Sequence, residues 1–319
     1  MLLNLLEYQW VEDIDDALML IARTDIKTVP LAGGTYLLGL QDDSIQAVVD
    51  LRDLNLSYIT EDARGIHIGA TTTLQMLVEA PAIKNLAGGM LARAAQASSF
   101  SHLIRNTATL GGTLAIGAAS QADLLTALAV LDVEVLLRSG AKTQVNLLGG
   151  TADRPGLPLA GVTYKGKQER RVSYTALANE RRPNELILEA LIPRLAPGSG
   201  AAFTRIGRTP TDIALLNAAA LVQVTEGIYK RVRLALGGVN MEPVRLHAIE
   251  KQLEDTPADD PQRLLAAVQS GIAEFHPPSD YRASSGYRRV SGATLAHRVL
   301  EDAINISRWR DITSSEGRS

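Results

Sequence analysis

Val29-Pro30-Leu31-Ala32-Gly33-Gly34-Thr35-Tyr36-Leu37-Leu38 runs an apolar stretch into two adjacent glycines, a hydroxyl residue and a second apolar stretch. Thr28 to Ala32 reads as a short strand. Glycines at its end let the backbone take positive φ and approach a ligand closely. Successive N–H groups at such a turn, with a helix starting near Tyr36, suit an anion such as a pyrophosphate. A plain tight turn accounts for the same residues. The glycines are adjacent, so this is not the G-x-G-x-x-G dinucleotide fingerprint.

Upstream, Asp13 can cap a helix with Asp15 and Asp16 in its positive first turn, and Ile14, Ala17, Leu18 and Ile21 share one face. Downstream, Ile45 to Leu51 reads as strand. Residues 1–55 therefore form a small α/β unit. A second unit, over residues 56–195, begins with a strand at Ile66 to Ile68 and helices at Thr72 to Val78 and Leu86 to Ala97. Within it, Ile104-Arg105-Asn106-Thr107-Ala108 leads to Thr109-Leu110-Gly111-Gly112-Thr113, the same glycine chemistry a second time. Two such turns suggest loops converging on one extended, phosphate-bearing ligand. Arg105 reads first as a brace for this loop and second as a phosphate partner. A helix at Ser120 to Leu131 carries Asp123 in its first turn, and strands follow at Val133 to Arg138 and Glu185 to Ile192. Gly149 to Leu159 reads as a Gly/Pro-rich loop.

Pro193 to Gly200 is the best linker. Beyond it, three strand-like runs (Ala201 to Ile206, Ala214 to Val224, Tyr229 to Leu236) precede helical patterns at Val244 to Leu253, Pro261 to Glu274 and Tyr287 to Ile306. That order predicts a smaller α+β domain over residues 200–306, with 307–319 a polar tail that frays after Arg310. Gly237-Gly238 reads as a turn and Gly88-Gly89 as structural.

The composition narrows the function. The 319 residues suggest about two domains, at roughly 150 residues each. A net charge of −3 without a basic block gives nucleic-acid binding no support. Zero cysteines exclude thiolate zinc sites and cysteine-ligated iron–sulfur clusters within these residues. The histidines show no metal-ligand spacing, and no G-x-S-x-G elbow is present. Gly161 to Gln168 nearly matches a phosphate loop, but Gln168 stands where the magnesium-binding hydroxyl belongs. Lys165 to Arg171 reads most simply as a solvated hairpin, and Arg181-Arg182 likewise. The apolar start, Met1 to Trp10, lacks the features of a signal peptide, and no run is long enough to span a membrane, so the expected setting is cytoplasmic.

Taken in order, these motifs resemble the FAD-binding medium subunit of the molybdenum hydroxylase family, of the xanthine dehydrogenase and carbon monoxide dehydrogenase type. Ala32 to Leu38 is similar to the family's Ala-Gly-Gly turn with its Leu-Leu pair, and Ile104 to Gly112 to its Ile-Arg-Asn to Thr-x-Gly-Gly stretch, with Thr113 replacing Asn. Asn184-Glu185-Leu186-Ile187 to Pro193, Ala202 to Arg205 (Arg for Lys), Leu234 to Val239 with Pro243-Val244-Arg245, and Asp280 to Ser284 with Tyr287-Arg288-Arg289 resemble the later motifs. Tyr36 is bulky for its position, and the loop before Asp123 is one residue longer than usual.

The resemblance implies an α+β fold: two α/β subdomains of the vanillyl-alcohol-oxidase (PCMH) type that bind FAD, then a three-stranded sheet with helices. It implies that Leu31, Ala32, Gly33, Gly34, Thr35, Tyr36, Leu37 and Leu38 hold the FAD pyrophosphate and its surroundings, and that Thr109, Gly111, Gly112 and Thr113 form a second clamp. Asp123 would bond the ribose or adenine side, Ile187 pack near the isoalloxazine, and Arg205 lie beside it. No catalytic acid–base residue and no metal site is expected. The implied partners are a molybdenum-cofactor large subunit and a [2Fe–2S] small subunit, in a dimer of heterotrimers. A cofactor-free scaffold subunit and a stand-alone flavoprotein oxidoreductase are the competing readings.

Overall fold

The computed structural model describes residue 2 and residues 4–118, 122–144, 162–240 and 242–316, and the expected loop from Gly149 to Leu159 lies outside them. The chain builds three sheets, each from one continuous stretch of sequence.

The first contains β1 (Glu7–Trp10), then helix α1 (Ile14–Ile21), β2 (Thr28–Leu31) and β3 (Ala47–Asp50), in the parallel order β1-β3-β2. β3 is the middle strand and is buried at every residue, as a strand covered on both faces must be. Asp13 caps α1 by accepting from the Asp15 N–H, and Ala17, Leu18 and Leu20 are buried. β1 was not among the expected strands. Its polar Glu7 and Gln9 are half-buried while Tyr8 and Trp10 are exposed, an inversion of the usual amphipathic signal. The helix expected from Tyr36 is only a 3-10 turn, Leu37–Gly39, which ends as Leu40 becomes extended.

The second sheet gathers β4 (Ile59–Glu61), β5 (Gly65–Gly69), β6 (Glu134–Gln144), β7 (Val162–Ser173) and β8 (Glu185–Pro193), in the antiparallel order β4-β5-β8-β6-β7. Between β5 and β6 lie α2 (Leu74–Glu79), α3 (Pro81–Asn85), α4 (Met90–Ser98), α5 (His102–Arg105), α6 (Leu110–Ile116) and α7 (Ala122–Val130); α8 (Leu177–Glu180) precedes β8. The continuous helix expected from Leu86 to Ala97 is broken. Ala87, Gly88 and Gly89 all take positive φ, so α4 begins only at Met90. The phosphate-loop look-alike continues as β7 from Val162. Lys165 to Arg171 do lie on a hairpin strand, β7 paired with β6, but Arg170 and Arg171 are half-buried and pair with Glu185 and Glu189 of β8 at 2.8 and 2.9 Å, because buried carboxylates need partners.

The third sheet has four strands rather than the expected three: β9 (Gly200–Ile206), β10 (Leu216–Thr225), β11 (Ile228–Gly237) and β12 (Val244–Arg245), ordered β12-β11-β10-β9. Val244 and Arg245, read as the start of a helix, pair with Leu236 and Ala235 instead. The Leu246 N–H extends the ladder to Leu234, so α9 (His247–Leu253) starts late. α10 (Pro261–Gly271) follows. α11 (Ser285–Glu316) crosses β9 and β10 and continues through residues expected to fray. Its Ser307 is fully buried, accepting from the Val224 N–H and donating to the Gly198 carbonyl, which anchors that end.

α7 is buried from Asp123 through Val130 and packs against α4 on one side and β10 and β11 on the other. One hydrophobic cluster therefore runs from the second unit into the third. Just after α7, Asp132 draws Arg231, Arg233 and Arg245 onto one carboxylate. Burial would raise its pKa, but the three arginines outweigh that and hold it below the usual carboxylate range. The contribution is therefore present above the unfolded value near ~4 and is lost as pH falls through the folded one. Asp132→Asn should lower stability by about 2 kcal/mol at neutral pH in urea denaturation, with the difference from wild type fading in acid.

Candidate functional site

Gly33 sets the geometry of the site. A Cβ there would lie 1.7 Å from the Thr107 carbonyl oxygen, so the first glycine turn rests on the main chain that leads to the second. The two loops expected to converge do touch, backbone to backbone. Gly34 takes a φ of 70°. Among the described residues, the main-chain N–H groups of Gly33, Gly34, Thr35 and Tyr36 donate to no carbonyl or side chain. Consecutive free donors in a turn form a concave nest for an anion.

The second pair has spent its donors. The Gly111 N–H donates to the Ala70 carbonyl at 2.8 Å, and the Gly112 N–H to the Thr109 hydroxyl, which caps α6, at 3.2 Å. Thr113 donates its hydroxyl to the Thr109 carbonyl. A Cβ on Gly111 would meet Ala70 at 2.8 Å. Where the second clamp is expected, the Gly111 and Gly112 N–H groups are thus used within the protein and the residues pack closely.

A cleft of about 380 Å³ opens between the turns. Ala32 to Leu37 form one lip, and Thr109, Gly111, Gly112 and Thr113 the other, with Leu186 and Ile187 of β8 behind them. Leu31 and Leu38 instead line a hollow of about 410 Å³ on the far side of the turn, beside Tyr8, Asp50 and Arg52. Ala32, Gly33, Gly34, Thr71 and Thr109 border both spaces. In that hollow Asp50 is buried and accepts from the Tyr8 hydroxyl and from Arg52 at 2.8 Å. Burial would raise its carboxyl, but these bonds overcome it and keep the pKa low.

Asp123 and Arg205 are not brought to the cleft. Asp123 is 3% exposed and faces the third sheet, where Asn217 donates to it at 2.9 Å and Arg205 pairs with it at 3.4 Å. Burial raises the Asp123 carboxyl, against the pull of Arg205 and Asn217. Arg205 also donates to the Pro210 and Asp212 carbonyls and sits 5.8 Å over the Phe100 ring. In this structure the pair forms an inter-sheet tie, an ion pair between facing elements.

Arg105 braces its loop, donating to Gln75 and to the Ser99 carbonyl at 2.7 Å each. Gly237-Gly238 is a turn with Gly238 at φ 83°, and Arg288, itself held by Asp280, donates to the Leu215 and Gly238 carbonyls around it. Arg181, which reads as solvated in the sequence, is half-buried and lines the cleft together with Ile187. The proline two residues on, just before β8, was the available sign that the chain turns inward there.

A parallel α/β unit laid against an antiparallel one, with an anion nest on one lip and an apolar wall opposite, defines a dinucleotide-binding protein of the two-subdomain flavoprotein kind. Residues 4–150 match the model of the FAD binding domain in molybdopterin dehydrogenase, and residues 201–303 that of the CO dehydrogenase flavoprotein C-terminal domain. The chain belongs to the FAD-binding subunits of the molybdenum hydroxylase family. It is 27% identical over 300 residues to the glyceraldehyde dehydrogenase medium chain of Sulfolobus acidocaldarius, spanning 92% of this chain and 97% of that one. It is also 27% identical over 308 residues to subunit alpha of the 6-hydroxypseudooxynicotine dehydrogenase complex of Paenarthrobacter nicotinovorans, at 95% of each. Among solved structures, a chain of carbon monoxide dehydrogenase from Hydrogenophaga pseudoflava shares the fold, with a TM-score of 0.78 over 95% of this chain and 98% of that one, at 23% identity. The described residues hold no cluster of metal-ligating side chains, and no described helix is long and apolar enough to cross a membrane.

Proposed function

We propose that this chain is the flavin-carrying electron-transfer subunit of a molybdenum-containing hydroxylase or dehydrogenase. It would take electrons from the [2Fe–2S] clusters of a small subunit and pass them from FAD to an external acceptor. The nest at Gly33 to Tyr36 carries this reading. Its free N–H groups fit the FAD pyrophosphate, and it borders both the cleft and the far hollow, one for each half of a dinucleotide. Ile187, which lines the cleft, would pack against the isoalloxazine. FAD supplies the reversible two-electron chemistry when bound. The chain's own residues bind and orient it, and the apolar wall keeps water from it.

Relatives named as a medium chain and as one subunit of a dehydrogenase complex support a multi-subunit setting. The partners that fit are a molybdenum-cofactor large subunit and a [2Fe–2S] small subunit, in a cytoplasmic dimer of heterotrimers. With no cysteine here, the cluster thiolates must come from another chain. The decisive experiment adds FAD to the purified chain, removes the excess and records the visible spectrum. Retained flavin bands that bleach with dithionite are expected. A folded chain that stays colourless even with its partner subunits supplied would leave only the scaffold reading.

A further inference from the structure

A third hollow, of about 400 Å³, lies between the second and third sheets and shares Ala115, Ile116 and Arg181 with the cleft. Its walls are mixed: Leu114, Leu125, Leu177 and Val244 are apolar, while Thr175, Glu242, Arg245 and His247 are polar or charged. Arg181 lies where the two spaces meet. Its guanidinium makes one long hydrogen bond, 3.4 Å to the Ala115 carbonyl, and no ion pair among the described residues. Glu185, whose charge it feels, is already held by Arg170 at 2.8 Å. Other buried or half-buried arginines do have a charge partner or short bonds: Arg138, Arg205, Arg245 and Arg288 each face a carboxylate, and Arg105 makes two short hydrogen bonds. A half-buried guanidinium left without a counter-ion favours an anion brought by a ligand.

The nest already provides for the FAD phosphates, and Arg181, which lines both the cleft and the hollow, is a separate cation. We propose that this hollow is the docking site of the electron acceptor, and that Arg181 holds an oxyanion of that acceptor beside the flavin. The acceptor class is a small organic anion carrying a phosphate, carboxylate or sulfonate: Leu114, Leu125, Leu177 and Val244 give its body apolar contact and Arg181 takes the charge. For a quinone of this kind, reduced flavin gives up two electrons and two protons, leaving oxidised flavin and a hydroquinone. The inference rests on the FAD reading of the cleft.

The test uses the full chain loaded with FAD, photoreduced without oxygen and mixed in a stopped-flow instrument with a naphthoquinone sulfonate or with neutral menadione. The readout is the ratio of the two reoxidation rate constants, so a general effect on the flavin cancels. In Arg181→Gln the ratio should fall about tenfold, the size of a lost charge-assisted hydrogen bond, and Arg181→Lys should recover part of it. An unchanged ratio in Arg181→Gln overturns the proposal; an unchanged ratio together with weaker FAD binding shows that Arg181 serves the cofactor's own phosphates. A wild-type chain that never takes up FAD fails the cleft reading itself, which the absorption spectrum reports separately.

Discussion

Gly33→Ala should purify without flavin. The added Cβ would sit 1.7 Å from the Thr107 carbonyl oxygen, against the 3.4 Å or more of ordinary contact, and the obstacle is backbone on both sides. The two turns must part by more than an ångström, which spreads the nest and opens the cleft wall. Overpacking of this kind costs about 3 kcal/mol, and it falls on the contact that shapes the binding surface. The flavin-to-protein ratio after gel filtration and the urea midpoint measure the two effects together. Gly34→Ala is the control: its φ of 70° strains an alanine by about 1 kcal/mol, but its new contacts at 3.0 Å are with the movable Leu38 side chain, so part of the flavin should remain. A full complement of flavin in Gly33→Ala would show that the nest does not hold the cofactor.

The second large effect concerns Asp123. Truncation to alanine leaves the buried Arg205 and Asn217 without their shared carboxylate, a loss of about 3–5 kcal/mol. Asp123→Ala with Arg205→Met should regain most of it, because both charges then leave together. The pH dependence has a definite sign. A carboxyl whose folded pKa is raised binds its proton more tightly in the folded state. Its contribution is therefore greatest below the unfolded value and declines as pH rises through the folded one. Denaturation midpoints across the acidic range should show the gap between wild type and Asp123→Ala narrowing as pH increases. If the variant kept its stability and lost only FAD, Asp123 would belong to the cofactor, as the family resemblance implies.

Much of this architecture was legible from local chemistry. The strand into Gly33-Gly34 and the buried run before Pro193 declared themselves, since apolar runs bounded by glycine or proline are local signals. The capped helix at Asp13 did so too. What escaped depended on distant partners. Asp123 and Arg205 are far apart in sequence, and only the packing of α7 on the third sheet shows that they neutralise each other. Val244-Arg245 is too short to announce a strand without β11 beside it. Gly111-Gly112 reads as a second set of free donors in the sequence, but the distant Ala70 carbonyl and the Thr109 side chain accept them. Arg181 looked solvated because a charge beside another charge and a proline carries no local trace of the cavity it faces.

The continuous core shared by the second and third sheets has a consequence for how the molecule breathes. The first fifty-odd residues have small clusters of their own and reach the rest mainly through β8 and β6, whereas α7 welds the remainder into one body. Local opening follows the thinnest packing, so the N-terminal unit is the part able to swing away first. The cleft lies along that seam. A bound dinucleotide would then act as a latch between a rigid block and a hinged flap, and its residence time would be set by how often the flap lifts.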